Sequence, residues 1–151
     1  MTKDEARAIL VHAEAKFLGR DKDLLVVNAN ERSLTHKFAQ YMQGFLGDSL
    51  DVDCEYNRSG ADPKKIDAIK DIVGCTQATD SQRAVTVYPD IVVHKRGILG
   101  PNAIVIEAKK DHEEGRDREK LRELKRSYEY EHAVFLKFDT EGKDISWDFI
   151  D

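Results

Sequence analysis

The sequence predicts a single-domain α/β protein in which a central mixed β-sheet is flanked by helices. Three observations carry that prediction. Two N-terminal segments repeat apolar residues at spacings of three and four. Later segments alternate, or are continuously apolar, over strand-length runs. One highly charged helical segment separates two of those runs. A length of 151 residues suits one domain, and 40% apolar residues suffice for a core. Charged residues reach 35%, so the polar faces are well solvated. No internal repeat, low-complexity tract or second domain is visible.

Lys3 to Leu18 reads as an amphipathic helix with Ala6, Ile9, Leu10 and Phe17 inward, ended by Gly19. Leu24 to Val27 is a short apolar run, a helix entry or a brief strand. A second helix spans about Asn30 to Leu46, with Leu34, Phe38, Tyr41, Met42 and Phe45 as its stripe and Gly47 as its stop. Leu50 to Asn57 alternates and predicts a strand, with Leu50, Val52, Cys54 and Tyr56 on one face. Cys54 is expected in the core.

Residues 59–84 read as an insertion, with a short helix near Ile66 to Val73. Val85 to His94 is the next strand, interrupted by Pro89, and a loop with Gly97, Gly100 and Pro101 follows. Ala103 to Ala108 is almost wholly apolar, so it belongs at the sheet centre, covered on both faces. Glu114 to Tyr128 is a charged helix with a thin stripe of Leu121, Leu124 and Tyr128. Ala133 to Phe138 is a buried strand and Ile145 to Ile150 an edge strand.

Composition narrows the function. A net charge of −5 argues against a protein that merely coats nucleic acid. Cys54 and Cys75 form neither a disulfide framework nor a zinc pattern and read as reduced thiols of a cytoplasmic protein. Met1 to Glu5 has no apolar run, so no signal peptide is expected, and no segment is apolar enough to span a bilayer. No Gly-rich phosphate loop, Ser nucleophile elbow or Cys–His arrangement stands out. The five histidines show no paired ligand spacing.

Chemistry concentrates at one hairpin. Glu-x-Lys occurs four times, at 14, 107, 123 and 141, but only Glu107 and Lys109 close a buried strand. Spaced by two, they project from one face. If the loop before that strand is centred between Ile98 and Leu99, Asp90 falls opposite Glu107. Two facing carboxylates repel, and a divalent cation reverses that sign. Mg²⁺ prefers such oxygen ligands with open positions for water and phosphate. Lys109 would reach the same pocket to position or deprotonate an attacking water.

Pro89-Asp90 followed by Glu107-Ala108-Lys109 after an apolar strand resembles the PD-(D/E)xK nuclease superfamily. The element order from 30 to 138, αβββαβ, is similar to that superfamily's restriction-endonuclease-like core. The resemblance implies that Asp90, Glu107 and the Ala108 carbonyl hold Mg²⁺ or Mn²⁺ and that Lys109 is the catalytic lysine. It also implies phosphodiester hydrolysis by a metal-activated water, with DNA as the leading substrate. Glu31 matches a helix glutamate that contacts metal in many members; the residues alone equally allow it to cap its helix.

Lys110 and Arg58 are the candidate phosphate contacts. Most other basic residues between 95 and 126 alternate with acids and read as solvated faces. Tyr128 and Tyr130 are candidates for base stacking, although Tyr128 continues the leucine stripe. A homodimer or a protein partner would supply specificity, since no recognition domain is appended. The alternatives are a non-catalytic nucleic-acid-binding or assembly module of the same fold, and an unrelated α/β domain whose hairpin charges face solvent.

Overall fold

The computed structural model describes residues 1–56, 58–59, 62–63, 65–66, 85–86, 88–97, 100–112 and 115–151. Helix α1 runs over Lys3–Arg20. Thr2 and Glu5 form a capping box, each side chain bonded to the other's backbone N–H. The helix passes through Gly19 and ends one residue later, with Asp21 as its C-cap. The short apolar run 24–27 forms a one-turn helix, α2, Asp23–Val26. Helix α3 is Glu31–Leu46; the Asn30 side chain accepts the Ser33 N–H at 2.8 Å, and Gly47 closes it at φ 58°.

Five strands build the sheet: β1 (Asp51–Cys54), β6 (Ile91–His94), β7 (Asn102–Lys110), β8 (His132–Asp139) and β9 (Asp144–Ile150), in the order β1-β6-β7-β8-β9. β7 and β8 are parallel and joined through helix α4, Gly115–Ser127; the other pairs are antiparallel. The sheet is therefore mixed, with β7 at its centre and β9 at an edge, as the apolar pattern predicts. Between β1 and β6 lie two-residue strands: β2 (Arg58–Ser59) with β3 (Asp62–Pro63), and β4 (Lys65–Ile66) with β5 (Val85–Thr86).

Three expectations are corrected here. The strand expected over 85–94 is two strands. Val85–Thr86 pairs with β4, and the ladder with β7 begins only at Ile91, because Pro89 has no N–H to extend it. The strand expected over 50–57 stops at Cys54, since Glu55 turns to φ 51°. Cys54 consequently lies exposed at the end of an edge strand rather than in the core. Of the expected helix near 66–73, Ile66 lies on β4; residues 67–73 fall outside the described residues, as does Cys75.

The two faces of the sheet bury different things. On one face, α1 and α3 press Ile9, Leu10, Phe17, Phe38 and Met42 onto Ile91, Ile104, Ile106, Leu136 and Phe138. The Phe138 ring lies 5.8 Å from Phe17 and 6.1 Å from Phe38. Phe45, expected on this stripe, is exposed and meets the His12 ring instead. On the other face, α4 brings Leu121 and Leu124 onto Val92, Val105, Ala133 and Phe135. That second core covers only part of the face. The remainder, at the C-terminal end of β7, is charged. No helix among the described residues is long and apolar enough to cross a membrane.

Candidate functional site

The register of the central hairpin determines what meets there. Ile91 faces Ile106, Val92 faces Val105 and Val93 faces Ile104. One more step along that register sets Asp90 opposite Glu107, the pairing predicted from a loop centred between 98 and 99. Residues 90, 92, 105, 107 and 109 share one face by strand alternation, the face that α4 covers. A second step sets Pro89 opposite Ala108. Proline supplies no ladder donor there, and the Ala108 N–H turns to the Asp90 carboxylate, 2.7 Å away. Two residues on, the Lys110 N–H donates to Glu31 at 2.9 Å. Two carboxylates thus take the places a continuing strand would have filled.

Glu107 is 3% exposed. Its Oε1 accepts the Lys120 ammonium at 2.7 Å, while its Oε2 is buried and has no hydrogen-bond partner among the described residues. Burial, and next the neighbouring Asp90 charge, push its carboxyl up to about 7 against the pull of Lys120 and Lys109. Asp90 is half-buried and also raised, first by desolvation; the Ala108 N–H and the two lysines oppose that rise, and Glu31 adds to it. Lys109 faces Asp117 of α4 at 3.7 Å. Desolvation pulls its ammonium down, but Asp117, Glu31, Glu107 and Asp90 outweigh it and hold the pKa above the ordinary value. In this arrangement the Lys109 ammonium is paired with Asp117.

Glu31 does not cap α3; Asn30 does. Its carboxylate is held on the Lys110 N–H, close enough to act electrostatically on Asp90 and Lys109. Lys110 reaches back to the Asn28 side chain at 2.8 Å and the Ala29 carbonyl at 3.4 Å, so its ammonium ties the end of β7 to the turn before α3. Arg58 lies on β2, with its side chain outside the described residues. Tyr130 is 3% exposed, which removes it from base stacking, and Tyr128 packs on the α4 core as its stripe predicts. Beside the site, a cleft of about 800 Å³ opens between the start of α3 and the end of β1, lined by Glu31, Ser33, Glu55 and Asp90 among others.

Two residues of the site escape the sequence reading. Asp117 and Lys120, one turn apart on α4, pair with Lys109 and Glu107 respectively. A signal for Asp117 exists: it precedes Leu121 by four and so extends the buried stripe of that helix toward its N-terminus. Its carboxylate also sits in the first turn, where the helix dipole favours it.

Cys54, at the lip of the cleft, has its thiol pushed up to about 11 by desolvation and by Asp53, Glu55 and Asp90, which makes it a poor nucleophile. Elsewhere, His94 is buried, bonded to Asp53 at 2.8 Å and covered by Tyr56; Arg96 also holds Asp53. That network joins β1 to β6 and needs no ligand to complete it.

Among the described residues, no three His, Cys, Asp or Glu side chains converge as a metal-ligating group. Asp90 and Glu107 supply two carboxylates, and the Ala108 carbonyl lies at the same end of the strand. This donor set suits a hard cation that keeps several waters, as Mg²⁺ does. The orphaned Glu107 Oε2 fits that use, since a buried carboxylate oxygen without a partner is costly unless something else bonds it. No protein-family model, no curated protein and no solved structure matches the chain.

Proposed function

We propose that this chain is a metal-dependent nuclease of the PD-(D/E)xK type that hydrolyses phosphodiester bonds, with DNA as its substrate. The observation that carries the reading is the orphaned Oε2 of Glu107, buried beside Asp90 and Lys109 where the ladder opens at Pro89. Asp90, Glu107 and the Ala108 carbonyl would hold Mg²⁺ or Mn²⁺, with Glu31 in reach through water. Bound there, the cation supplies Lewis-acid activation of water and stabilises charge on the scissile phosphate.

The protein's own residues do the rest. Asp90 is held by the Ala108 N–H and Glu107 by Lys120 of α4, so both carboxylates are aimed before a ligand arrives. Lys109, beside Glu107 on the same face of the strand, orients water and offsets charge developing on phosphate. Lys110 would meet the substrate backbone only after leaving the Asn28 turn. The half-open cleft beside Asp90 is a route for the strand. A site of this kind belongs with a nucleic-acid partner in the cytoplasm, and a second copy or a partner protein would add specificity.

A non-catalytic binding or assembly module of the same fold is the second reading. The observation that favours it is the closed set of ion pairs: Lys120 already neutralises Glu107, and Asp117 already neutralises Lys109. Cleavage of plasmid and single-stranded DNA in Mg²⁺, Mn²⁺ or EDTA separates the two. The nuclease reading expects cutting that EDTA stops. Lys109→Ala should reduce it by roughly 10²-fold or more while metal still binds. Asp90→Asn should lose both binding and cutting. Cleavage by Lys109→Ala equal to wild type removes the catalytic assignment, and no metal-dependent cleavage by wild type leaves the module.

A further inference from the structure

Glu107 differs from every other acid of the site in how its two oxygens are treated. Oε1 is in contact with the Lys120 ammonium at 2.7 Å, and Oε2, although buried, has no hydrogen-bond partner among the described residues. Lys109, the nearer lysine in sequence, does not make that contact; its ammonium is turned to Asp117. The helix α4 therefore meets the site with two crossed pairs, an acid for the strand's lysine and a lysine for the strand's acid. Asp117 and Lys120 are three residues apart, which stacks them on one helix face.

We propose that Lys120 is a built-in counter-cation that occupies the Glu107 carboxylate until a divalent cation takes its place, so that this one side chain sets the metal affinity of the site. The inference rests on the metal-dependent reading above. A buried carboxylate beside a second carboxylate needs a positive partner, and among the described residues Lys120 is the one in contact with it. An ammonium and a divalent cation on one carboxylate repel strongly in so enclosed a place, so the two occupy it by turns. Lys120 is built to withdraw. Its side chain is 22% exposed, it has a flexible four-carbon stem, and the Tyr88 carbonyl stands 3.4 Å from its ammonium as a second acceptor. Lys120 is thus a positioning residue: it holds Glu107 aimed into the site and competes with the ligand that Glu107 is to bind.

The test is calorimetric titration of Mn²⁺ into wild type, Lys120→Gln, Lys120→Arg and Asp90→Asn, with melting curves in EDTA to check each fold. Glutamine keeps a hydrogen-bond donor for Glu107 and removes the charge, so it should tighten the Mn²⁺ dissociation constant by about tenfold or more. Arginine keeps the charge and should bind Mn²⁺ no more tightly than wild type. A purely structural role moves affinity the other way, because a loosened Glu107 binds metal less well. Unchanged or weaker binding by Lys120→Gln, with wild type binding and Asp90→Asn not, overturns this inference and leaves the metal site standing. Tighter binding by Lys120→Arg also overturns it, and that variant decides the matter if Lys120→Gln melts early. Binding by Lys120→Gln but not by wild type supports it in its strongest form. If neither binds, this inference and the metal-dependent reading fall together.

Discussion

The two faces of the sheet are built on opposite rules. Under α1 and α3 the buried side chains are almost all apolar, and rings and branched chains fill the space. Under α4 the apolar cluster is smaller, and toward the end of β7 it gives way to Asp90, Glu107, Lys109, Asp117 and Lys120. Dry contact stabilises the first face by removing apolar surface from water. The second gives up part of that gain to hold carboxylates against one another. One face is held by apolar contact; the other carries a local cost wherever its buried carboxylates are charged.

The strongest way to break the comparison is in the apolar face. Phe38 of α3 is fully buried against Phe138, so Phe38→Ala should cost about 3–5 kcal/mol in denaturant unfolding. It should do so equally with and without Mg²⁺. A loss far below that range would mean that the α1–α3 layer is not the stabilising one.

The next effect has the opposite sign. Glu107 titrates near 7 in the folded chain and near its ordinary value of 4.5 when unfolded. Below the unfolded value both states are protonated and nothing is lost. As pH rises from there through 7 the unfolded state ionises first, so folding stability falls by about 3 kcal/mol in the metal-free protein. Glu107→Gln should therefore match wild type near pH 4, be the more stable of the two above pH 7, and show a flatter pH profile between. Chemical denaturation in EDTA across that range measures it. A wild-type profile as flat as that of the variant removes the cost assigned to this face.

The smallest effect sharpens the comparison within α4 itself. Lys125 belongs to another Glu-x-Lys pair, and its ammonium is 3.4 Å from the Ile150 carbonyl, away from the carboxylates. Lys125→Ala should change stability by no more than about 0.5 kcal/mol and leave DNA cleavage at the wild-type rate. A drop in cleavage comparable to that of Lys109→Ala would mean that general positive charge, not position, matters on this helix.

Particular residues explain what was legible beforehand. The continuous apolar run before Glu107 placed β7 at the centre, and the loop midpoint fixed the 90–107 register, because both depend on local pattern and chain geometry. The break at Pro89 was visible as a residue, but its outcome depended on where residues 85–86 found a partner, β4, which no local pattern specifies. Cys54 alternated correctly for burial, yet nothing in the sequence says that β1 is an edge strand ending there. Lys120 was hidden for a different reason. Charges on a helix look alike until the strand beneath them is known, and only the buried Glu107 distinguishes this lysine from its neighbours.

Cys54 and Ile91 face each other across the ladder of β1 and β6. The described residues between them pair outside that sheet, β2 with β3 and β4 with β5, and the chain re-enters it at Ile91, next to Asp90. The closed span has entropy that changes only slowly with its length, by about 0.6 kcal/mol for each doubling. By loop-closure entropy alone, a longer or shorter connection would therefore cost the β1–β6 pairing little. The junction beside Asp90 is thus a joint in the chain, where length can change while the pairing of β6 with β7 stays as it is.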